Sequence, residues 1–483
     1  MESYVKRIEF LQHCRAVFPE SAHRLDKVAP RLLIASLSTR SHHSELCYER
    51  LEWLGDAVLK VVLSDALMLS PELGSWIRLL PEGYLSQARD TLACNATLTE
   101  LCKKLGLDQF ILFRSLSRGK WAPAPLCLVS QDGIENLEKR PSGKVCADVI
   151  EALIGLVYME FGIDASCALI ADMGLIPSYQ YRPRAMTDMQ SIIVSNRRIE
   201  AAKEFTGQEK FSEQNLVEEA FCHPTALGTR TPSYQRLEWI GDAALCLSTR
   251  DWIFKTFPDR SVGDMVRTEA LLNSNETLAF LAHRKGLIKY LNHRDQTLQA
   301  RLDEYTAELT SKRGGLWGTV PPKTLADVVE SLIGLVHVAC GFVAAQQAVK
   351  HILAPVFKVL ELTPESEILV HPMSRLKELA GRLLSLETED GDSFSKSHPD
   401  VMVWNGFYWG VPEKNKVVAR VHCFGETIVA TCGTSKASAR AMACDLVLTV
   451  ADRMPEFMDR FLFARRNVQQ HVLHDKSNDD SDD

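Results

Sequence analysis

The spacing of apolar residues predicts helices along most of the chain. Two segments, near residues 50 and 150, repeat an apolar side chain every three or four positions, which is the period of one helix face. These apolar residues are Leu51, Leu54, Val58 and Leu59 in the first segment and Val149, Leu153 and Leu156 in the second. Strand-like alternation is nearly absent before residue 400. The pattern therefore predicts a mainly α fold for residues 1–365.

The pattern changes after about residue 365 and predicts a small mixed domain. One helix is expected at Met373–Leu384 and another within Gly433–Cys444, which carries Ser and Thr near its start. Between them, three segments rich in β-branched and aromatic residues are predicted as short strands. These strands are expected at Val401–Trp409, Val417–Phe424 and Glu426–Cys432. The order of elements predicts an α-β-β-β-α domain.

The helical part of the chain contains an internal repeat. Three blocks of similar sequence occur twice in the same order, which indicates duplication of one domain rather than chance. The blocks are ERLEWLGDAVL (49–59) and QRLEWIGDAAL (235–245), NATLTEL (95–101) and NETLAFL (275–281), and KVCADVIEALIG (144–155) and KTLADVVESLIG (323–334). We therefore expect two all-α domains of the same fold in tandem.

These patterns divide the chain into five parts. We predict a first helical domain at residues 1–180, a linker at 181–194 and a second helical domain at 195–365. The mixed domain is predicted at 366–455. Residues 456–483 are polar and end in an acidic run, which is typical of a disordered tail.

Composition and charge narrow the class of protein. The 483 residues are 46% hydrophobic and 24% charged, which is typical of a globular protein with two to four domains. No apolar run is long enough to predict a membrane span. The 13 cysteines form no Cys-x-x-Cys pair, so we expect reduced thiols in an intracellular protein, with the cytoplasm favoured over the nucleus. The net charge of −7 counts against a nucleic-acid binder, unless clustered carboxylates that hold cations account for it.

Each repeat carries two pairs of carboxylates at helical spacing. Residues three or four apart share a helix face, so Glu52 with Asp56, and Asp148 with Glu151, each point to one side. If the two helices pack together, four carboxylates converge. The second repeat offers the same set, namely Glu238, Asp242, Asp327 and Glu330. Hard oxygen ligands of this kind select Mg²⁺ or Mn²⁺, and such metal sites suit phosphodiester hydrolysis.

The alternative interpretation is that these carboxylates form ordinary solvated helix faces. Both pairs lie inside apolar stretches, beside Trp53 and Ile150 in the first copy and Trp239 and Val329 in the second. Both pairs also recur together. Because burying unpaired charge is costly, the pattern favours two metal sites.

The blocks containing these carboxylates resemble the ribonuclease III family. ERLEWLGD and QRLEWIGD are similar to its signature, and the two Lys-x-x-x-Asp-x-x-Glu blocks are similar to its second acidic motif. Two such domains followed by an α-β-β-β-α domain resemble the carboxy-terminal half of Dicer-like members, with Drosha-like members as the nearer alternative. The resemblance covers about residues 10–450.

The resemblance implies both a fold and an activity. It implies that the two domains pair within one chain, so the protein is expected to be a monomer that contains an intramolecular pseudo-dimer. It further implies that each domain cuts one strand of double-stranded RNA, leaving short 3′ overhangs and 5′-phosphates. The implied metal-binding and catalytic residues are Glu52, Asp56, Asp148, Glu151, Glu238, Asp242, Asp327 and Glu330. None of the eight is substituted.

Other residues match the family less closely. Lys144 and Lys323 stand where Dicer-like enzymes carry a lysine near the scissile phosphate, and are either catalytic or surface residues at a helix start. Asn95 and Asn275 either orient a metal-binding carboxylate or cap a turn.

A further acid and a histidine also match the family, and the second copy departs from it at the acid. Glu82 matches a further acidic position, at which the second copy has Val262, so we expect the second site to lack that acid. His223 resembles a family histidine and is interpreted as structural.

The final domain resembles a double-stranded-RNA-binding domain, which recognises phosphates and 2′-hydroxyls by shape. The RNA-binding residues that this resemblance implies are Lys436 and Arg440, near the start of the last helix. Ala437 stands where the family usually has a second lysine. Both direct RNA binding and a protein-contact role therefore stay open.

The sequence leaves three functions in competition. The first is a metal-dependent endoribonuclease that makes small RNAs, for RNA silencing or for Drosha-like processing of structured precursors. The second is a catalytically silent RNA-binding scaffold, and the third is an unrelated helical phosphohydrolase. The chain shows no Gly-x-x-x-x-Gly-Lys-Ser/Thr loop of a helicase motor. Product length would then be measured by a partner, such as an RNA-silencing protein, or by a longer chain.

Overall fold

The structure is a computed structural model that describes most of the helical part of the chain and short segments of the rest. The described residues are 2–43, 46–69, 82–113, 141–176, 194–211, 213–226, 231–310, 321–362, 384–390, 403–404, 407–408, 417–423, 426–433, 440 and 443–444. The chain forms two compact units, one containing residues 1–295 and 323–366 and the other containing 296–322 and 367–483. Residues 296–322, assigned to the second helical domain by sequence, thus belong to the second unit. The other predicted domain boundaries stay predictions.

The first helical domain is arranged around one buried helix. Its described helices are α1 (Glu2–Val17), α2 (Ala22–Leu25), α3 (Pro30–Leu37), α4 (Glu49–Leu69), α5 (Glu82–Ala93), α6 (Asn95–Lys104), α7 (Gly143–Phe161) and α8 (Ile163–Asp172). Helix α7 is buried from Cys146 to Tyr158 and contacts α2, α3, α4, α6 and α8. Ser142 caps its start by accepting a hydrogen bond from the backbone N–H of Val145. Helix α7 therefore places its carboxylates at the centre of the domain.

The second helical domain repeats this arrangement. Its described helices are α9 (Asn196–Thr206), α10 (Gln214–Ala220), α11 (Gln235–Thr256), α12 (Val262–Leu272), α13 (Asn275–Arg284), α15 (Lys323–Cys340) and α16 (Phe342–Leu362), while α14 (Gln296–Thr310) belongs to the second unit. Helix α15 takes the place of α7 and contacts α9, α10, α11, α13 and α16. The two helical domains confirm the predicted mainly α fold.

Glycines let the central helices of each domain cross in backbone contact. A Cβ atom on Gly55 of α4 would lie 1.8 Å from the carbonyl oxygen of Glu151, and one on Gly155 of α7 would lie 2.2 Å from a backbone oxygen of α4. At the matching crossing of α11 and α15, Cβ atoms on Gly241 and Gly334 would lie 1.8 Å and 2.0 Å from backbone oxygens. Only glycine fits at these distances, because every other residue carries a Cβ atom.

The two helical domains pair through the signature helices, because α4 and α11 contact each other. Arg50 of α4 reaches into the second domain, where its guanidinium donates to the carbonyl oxygens of Phe254, Phe257 and Arg260 at 3.4, 3.3 and 2.6 Å. The guanidinium also lies over the ring of Phe254, 4.8 Å from its centroid. These contacts confirm the expected pseudo-dimer within one chain.

Two polar pairs are buried where the domains meet. Nε2 of His337 lies 2.6 Å from Oδ1 of Asp65 in the first domain, and both side chains are fully buried. At the positions related by the repeat stand Tyr158 and Asp251. Gln346 joins these two by donating to the hydroxyl of Tyr158 at 3.4 Å and to the carboxylate of Asp251 at 3.0 Å. Because buried polar groups need partners, these contacts favour one alignment of the two domains.

The second unit contains two small antiparallel sheets in its described residues. Its strands are β1 (Leu384–Asp390), β2 (Val403–Trp404), β3 (Phe407–Tyr408), β4 (Val417–Cys423) and β5 (Glu426–Gly433). One sheet has the order β1-β4-β5, with Leu384 opposite Cys423 and Val417 opposite Gly433. The other sheet pairs β2 with β3. The predictions for β4 and β5 agree with the structure to within one residue.

The first strand of the mixed domain was predicted in the wrong place. The predicted strand 401–409 contains two short strands, β2 and β3, which pair with each other in a separate sheet. The strand that completes the larger sheet is β1, which the sequence analysis missed because three of its residues are Glu or Asp, types depleted in strands. The helix predicted at Met373–Leu384 lies outside the described residues except for Leu384, which begins β1.

Among the described residues, every helix is too short or too polar to cross a membrane.

Candidate metal centres in the two helical domains

The first acid cluster consists of Glu52 and Asp56 on α4 and Asp148 and Glu151 on α7. Carboxylate oxygens of Glu52, Asp148 and Glu151 all lie within 4.8 Å of one another. Asp56 lies outside this closest group but near enough to raise the pKa of Glu151. The crossing at Gly55 brings the two helices close enough for their acids to meet. Three of the four carboxylates that the spacing predicted to converge thus lie together.

The second acid cluster has the same construction from α11 and α15. Carboxylate oxygens of Glu238, Asp327 and Glu330 lie within 4.8 Å of one another, and Asp242 again lies outside the closest group. Among the described residues, these two clusters are the groups of His, Cys, Asp or Glu side chains whose arrangement could hold a metal ion.

A tyrosine and a lysine contact the acids of each cluster. The hydroxyl of Tyr48 donates to Oδ2 of Asp148 at 2.9 Å, and burial and the charge of Asp148 raise the pKa of this tyrosine. Nζ of Lys144 lies 3.3 Å from Asp148 and 3.9 Å from Glu52. The tyrosine therefore stays protonated and fixes one carboxylate, while the exposed lysine offsets part of the negative charge.

The second cluster has equivalent neighbours. The hydroxyl of Tyr234 donates to Oδ2 of Asp327 at 3.1 Å. Nζ of Lys323 lies 2.8 Å from Oε1 of Glu238 and 2.5 Å from Oδ1 of Asp327. Both lysines predicted as candidate catalytic residues thus stand beside their clusters, with side chains 69% (Lys144) and 65% (Lys323) exposed and accessible to a ligand.

Burial and mutual repulsion raise the pKa values of the four cluster glutamates. Burial, followed by the charge of Asp148, raises the pKa of Glu52 to about 7, and burial, followed by the charge of Asp56, raises that of Glu151 to about 8. Burial and Asp242 raise the pKa of Glu330 well above its ordinary value, and burial and Asp327 raise that of Glu238. Without a cation, the clusters therefore hold protons near neutral pH.

The donor atoms of both clusters fit a hard divalent cation. All four acids of each set offer oxygen, and three of them lie within the span of one coordination sphere. A divalent cation would also relieve the repulsion that raises the pKa values of the cluster glutamates. The two acid clusters can therefore bind a divalent metal ion.

The comparison with protein families matches both helical domains. The family described as "Ribonuclease III domain" matches residues 49–162 and again residues 235–341, and each match contains one complete acid cluster. The chain carries two ribonuclease III domains in tandem.

Three known relatives match over 64–72% of this chain. "Endoribonuclease Dicer homolog 4" of Oryza sativa subsp. japonica is 27% identical over 373 residues, which cover 71% of this chain and 22% of that protein. "Endoribonuclease Dicer homolog 1" of Arabidopsis thaliana is 28% identical over 397 residues, covering 72% and 20%. "Dicer-like protein 2" of Neosartorya fischeri is 30% identical over 361 residues, covering 64% and 25%. The chain spans about a fifth to a quarter of the length of these relatives, and they confirm its resemblance to Dicer-like members of the family.

The charge of Glu82 acts on the acid cluster of the other ribonuclease III domain. Burial and Asp327 raise the pKa of Glu238, and Glu82 of the first domain raises it further. The charges that raise the pKa of Glu52 are, after burial, those of Asp148, Glu49 and Asp56 of its own domain. The expectation that the second site lacks this acid because of Val262 stays a prediction, although the charge of Glu82 from the first domain acts on Glu238.

The structure describes four of the five remaining residues that the sequence analysis singled out. Asn95 and Asn275 are the first residues of α6 and α13, whose N-caps are Cys94 and Ser274, so neither asparagine caps its own helix. His223 contacts Thr225 through Nδ1 at 2.7 Å, which agrees with a structural role. Arg440 is helical and half-buried, whereas Lys436 lies outside the described residues.

The sequence analysis missed three kinds of residue that shape these sites. Tyr48 and Tyr234 stand four residues before Glu52 and Glu238, so extending the repeat by one residue would have found them. The crossing glycines lie inside the quoted blocks, but their role depends on the helix that they face. Lys60 and Arg250 ion-pair with Asp242 and Asp56 across the interface. Neither cation recurs in the other repeat. The sequence signal for each was therefore only a charged residue inside an apolar helix.

Metal binding and stability should depend on pH in opposite directions. The pKa values of Glu52 and Glu151 are about 7 and about 8 in the folded protein, whereas the ordinary value of a glutamate is 4.5. At a pH between the ordinary value and the raised values, the folded state therefore holds more protons than the unfolded state. Stability of the metal-free protein should then fall as pH rises from about 5 to about 8. A divalent ion must displace these protons, so its affinity should rise over the upper part of the same range.

Thermal denaturation between about pH 6 and about pH 9 would measure both effects, with chelator or with Mg²⁺. The stabilisation by Mg²⁺ should be larger at the higher pH. The double variant Glu151→Gln with Glu330→Gln is the control. Its stability in chelator and its stabilisation by Mg²⁺ should both change less with pH than those of the wild-type protein. A wild-type protein whose stability in chelator is flat across this range would contradict the prediction.

Proposed function

We propose that this chain is a metal-dependent endoribonuclease that cleaves both strands of double-stranded RNA, one strand in each ribonuclease III domain. The observation that carries the proposal is the presence of one complete acid cluster in each of two paired domains. The relatives that bear the name endoribonuclease support it. The proposed products are short duplexes with 3′ overhangs and 5′-phosphates, made for small-RNA processing.

The proposed catalytic residues are the eight cluster acids, which would hold Mg²⁺ or Mn²⁺. A bound divalent ion supplies an activated water and offsets the charge that develops on the phosphoryl group. The protein's own residues orient the carboxylates, because Tyr48 holds Asp148 and Tyr234 holds Asp327. Lys144 and Lys323, exposed beside the clusters, would contact the scissile phosphate and stabilise its developing charge.

The proposed partner is a duplex RNA that spans the paired domains. We further propose that the protein acts as a monomer and that Lys436 and Arg440 of the last domain contact the RNA. RNA-silencing proteins would measure the length of the product. Substrate choice between a long duplex and a structured hairpin precursor would separate Dicer-like from Drosha-like processing.

The experiment is cleavage of a long RNA duplex by the purified protein with added Mg²⁺ or Mn²⁺. The wild-type protein should cut the duplex, and chelator should stop it. The double variant Glu151→Gln with Glu330→Gln should lose at least about 10³-fold in rate, because losing several kcal/mol of charge stabilisation corresponds to that factor. A wild-type protein that binds duplex RNA but never cuts it would instead be a catalytically silent scaffold.

A further inference from the structure

Each ribonuclease III domain extends a cation to the acid cluster of the other domain. The guanidinium of Arg250 on α11 lies 2.8 Å from Oδ2 of Asp56 in the first cluster. Nζ of Lys60 on α4 lies 2.8 Å from Oδ2 of Asp242 in the second cluster. Asp56 and Asp242 are the acids that lie outside the closest group of their own clusters. The same carboxylate of each cluster is thus held from across the interface.

The two cations come from positions that the repeat does not relate. Lys60 stands eight residues after Glu52, and the residue eight after Glu238 is Cys246. Arg250 stands twelve residues after Glu238, and the residue twelve after Glu52 is Ser64. Inheritance of one residue by duplication therefore does not explain the two ion pairs. Residues at unrelated positions of the repeat make the equivalent ion pair in the two domains, which indicates that this ion pair has a role at each acid cluster.

The cations are better fixed than the carboxylates that they hold. The side chain of Arg250 is 14% exposed. Its guanidinium donates to Oε1 of Glu269 at 2.8 Å and to the carbonyl oxygen of Trp53 at 2.5 Å, and it also lies over the Trp53 ring. Lys60 is 27% exposed. Asp56 and Asp242 are 50% and 43% exposed, so packing alone leaves them rotational freedom. In each carboxylate, the ion pair is made through Oδ2.

We propose that Arg250 and Lys60 are positioning residues that act across the domain interface, each holding the fourth carboxylate of the other domain's acid cluster in the orientation that metal binding requires. This inference rests on the proposed function, since it presumes that the clusters bind a divalent ion. It adds that neither metal site is complete without the opposite domain. Partners that fix a metal-binding carboxylate typically contribute 10–100-fold to metal affinity.

The test measures Mn²⁺ affinity, read from the paramagnetic resonance of free Mn²⁺, on full chains that retain one cluster. In the Glu330→Gln background, which isolates the first cluster, Arg250→Gln should weaken Mn²⁺ binding about 10–100-fold and Lys60→Met should not. In the Glu151→Gln background, which isolates the second cluster, Lys60→Met should weaken binding and Arg250→Gln should not. The conservative variants Lys60→Arg and Arg250→Lys, which keep the charge, should restore much of the affinity.

The outcomes separate this inference from the proposed function. If neither parent protein binds Mn²⁺, the metal sites of the proposed function fail and the inference fails with them. If the parents bind Mn²⁺ but the cross-domain variants leave affinity unchanged, or weaken both clusters equally, the inference alone is overturned. Should Arg250→Gln unfold the protein, Lys60→Met decides the question, since it keeps the apolar stem of the side chain.

Discussion

Replacing Glu151 with Gln should stop cleavage of one RNA strand and leave cleavage of the other strand intact, and Glu330→Gln should do the reverse. Each acid belongs to the closest group of one cluster only. Removing one of three converging carboxylates removes charge that the bound cation needs. The rate at the affected strand should fall by at least about 10³-fold, equivalent to about 4 kcal/mol of transition-state stabilisation.

Glutamine is the right replacement because it resembles the protonated form of these acids. Burial, followed by the charge of Asp56, raises the pKa of Glu151 to about 8, so the metal-free protein already holds a proton there at neutral pH. The burial of Glu330 has the same effect on its pKa. Both variants should therefore fold as the wild-type protein does, and their melting in chelator provides the control.

The measurement uses a duplex whose two strands carry different labels. Denaturing gels should show one strand cut and the other whole, while native gels should show a nicked duplex. Loss of cutting in both strands from either single change would contradict the assignment of one strand to each domain. Unchanged cutting of both strands would contradict the role of the substituted acid.

Replacing Gly55 or Gly241 with Ala should strongly destabilise the protein. The added Cβ atom would lie 1.8 Å from the carbonyl oxygen of Glu151 or Glu330, respectively, and a backbone atom inside a buried helix cannot move away cheaply. The two central helices would have to separate, at a cost of about 3 kcal/mol or more in unfolding free energy. Separation would also pull the acids of that cluster apart and weaken its metal binding.

Gly263 offers a matched control for this effect. It lies in α12, and a Cβ atom there would meet only Oγ of Ser261, at 3.8 Å. Gly263→Ala should therefore be neutral or stabilise the protein by up to about 1 kcal/mol, as expected of alanine in an uncrowded helix. Chemical denaturation of the variants measures the difference. Equal stability of Gly55→Ala and Gly263→Ala would show that the helices do not cross as closely as described.

Local pattern and duplication determined most of the fold and the acid sets from the sequence. The 3.6-residue period predicted the helices, and the repeat predicted two domains with matching carboxylates. Those predictions succeeded because each depends on residues close together in the chain, where spacing alone decides which side chains share a face. Strand β1 was missed for the same reason, since its pairing with β4 outweighs the poor strand preference of its acidic residues.

Only the tertiary structure decided what joins the domains and completes each site. The roles of Gly55 and Gly241 depend on the opposing helix, the ion pairs of Lys60 and Arg250 cross to another domain, and the charge of Glu82 acts on the cluster of the other domain. None of these contacts follows a period in the sequence. They arise where distant segments pack together, because close packing and the cost of burying unpaired charge select side chains by their neighbours in space.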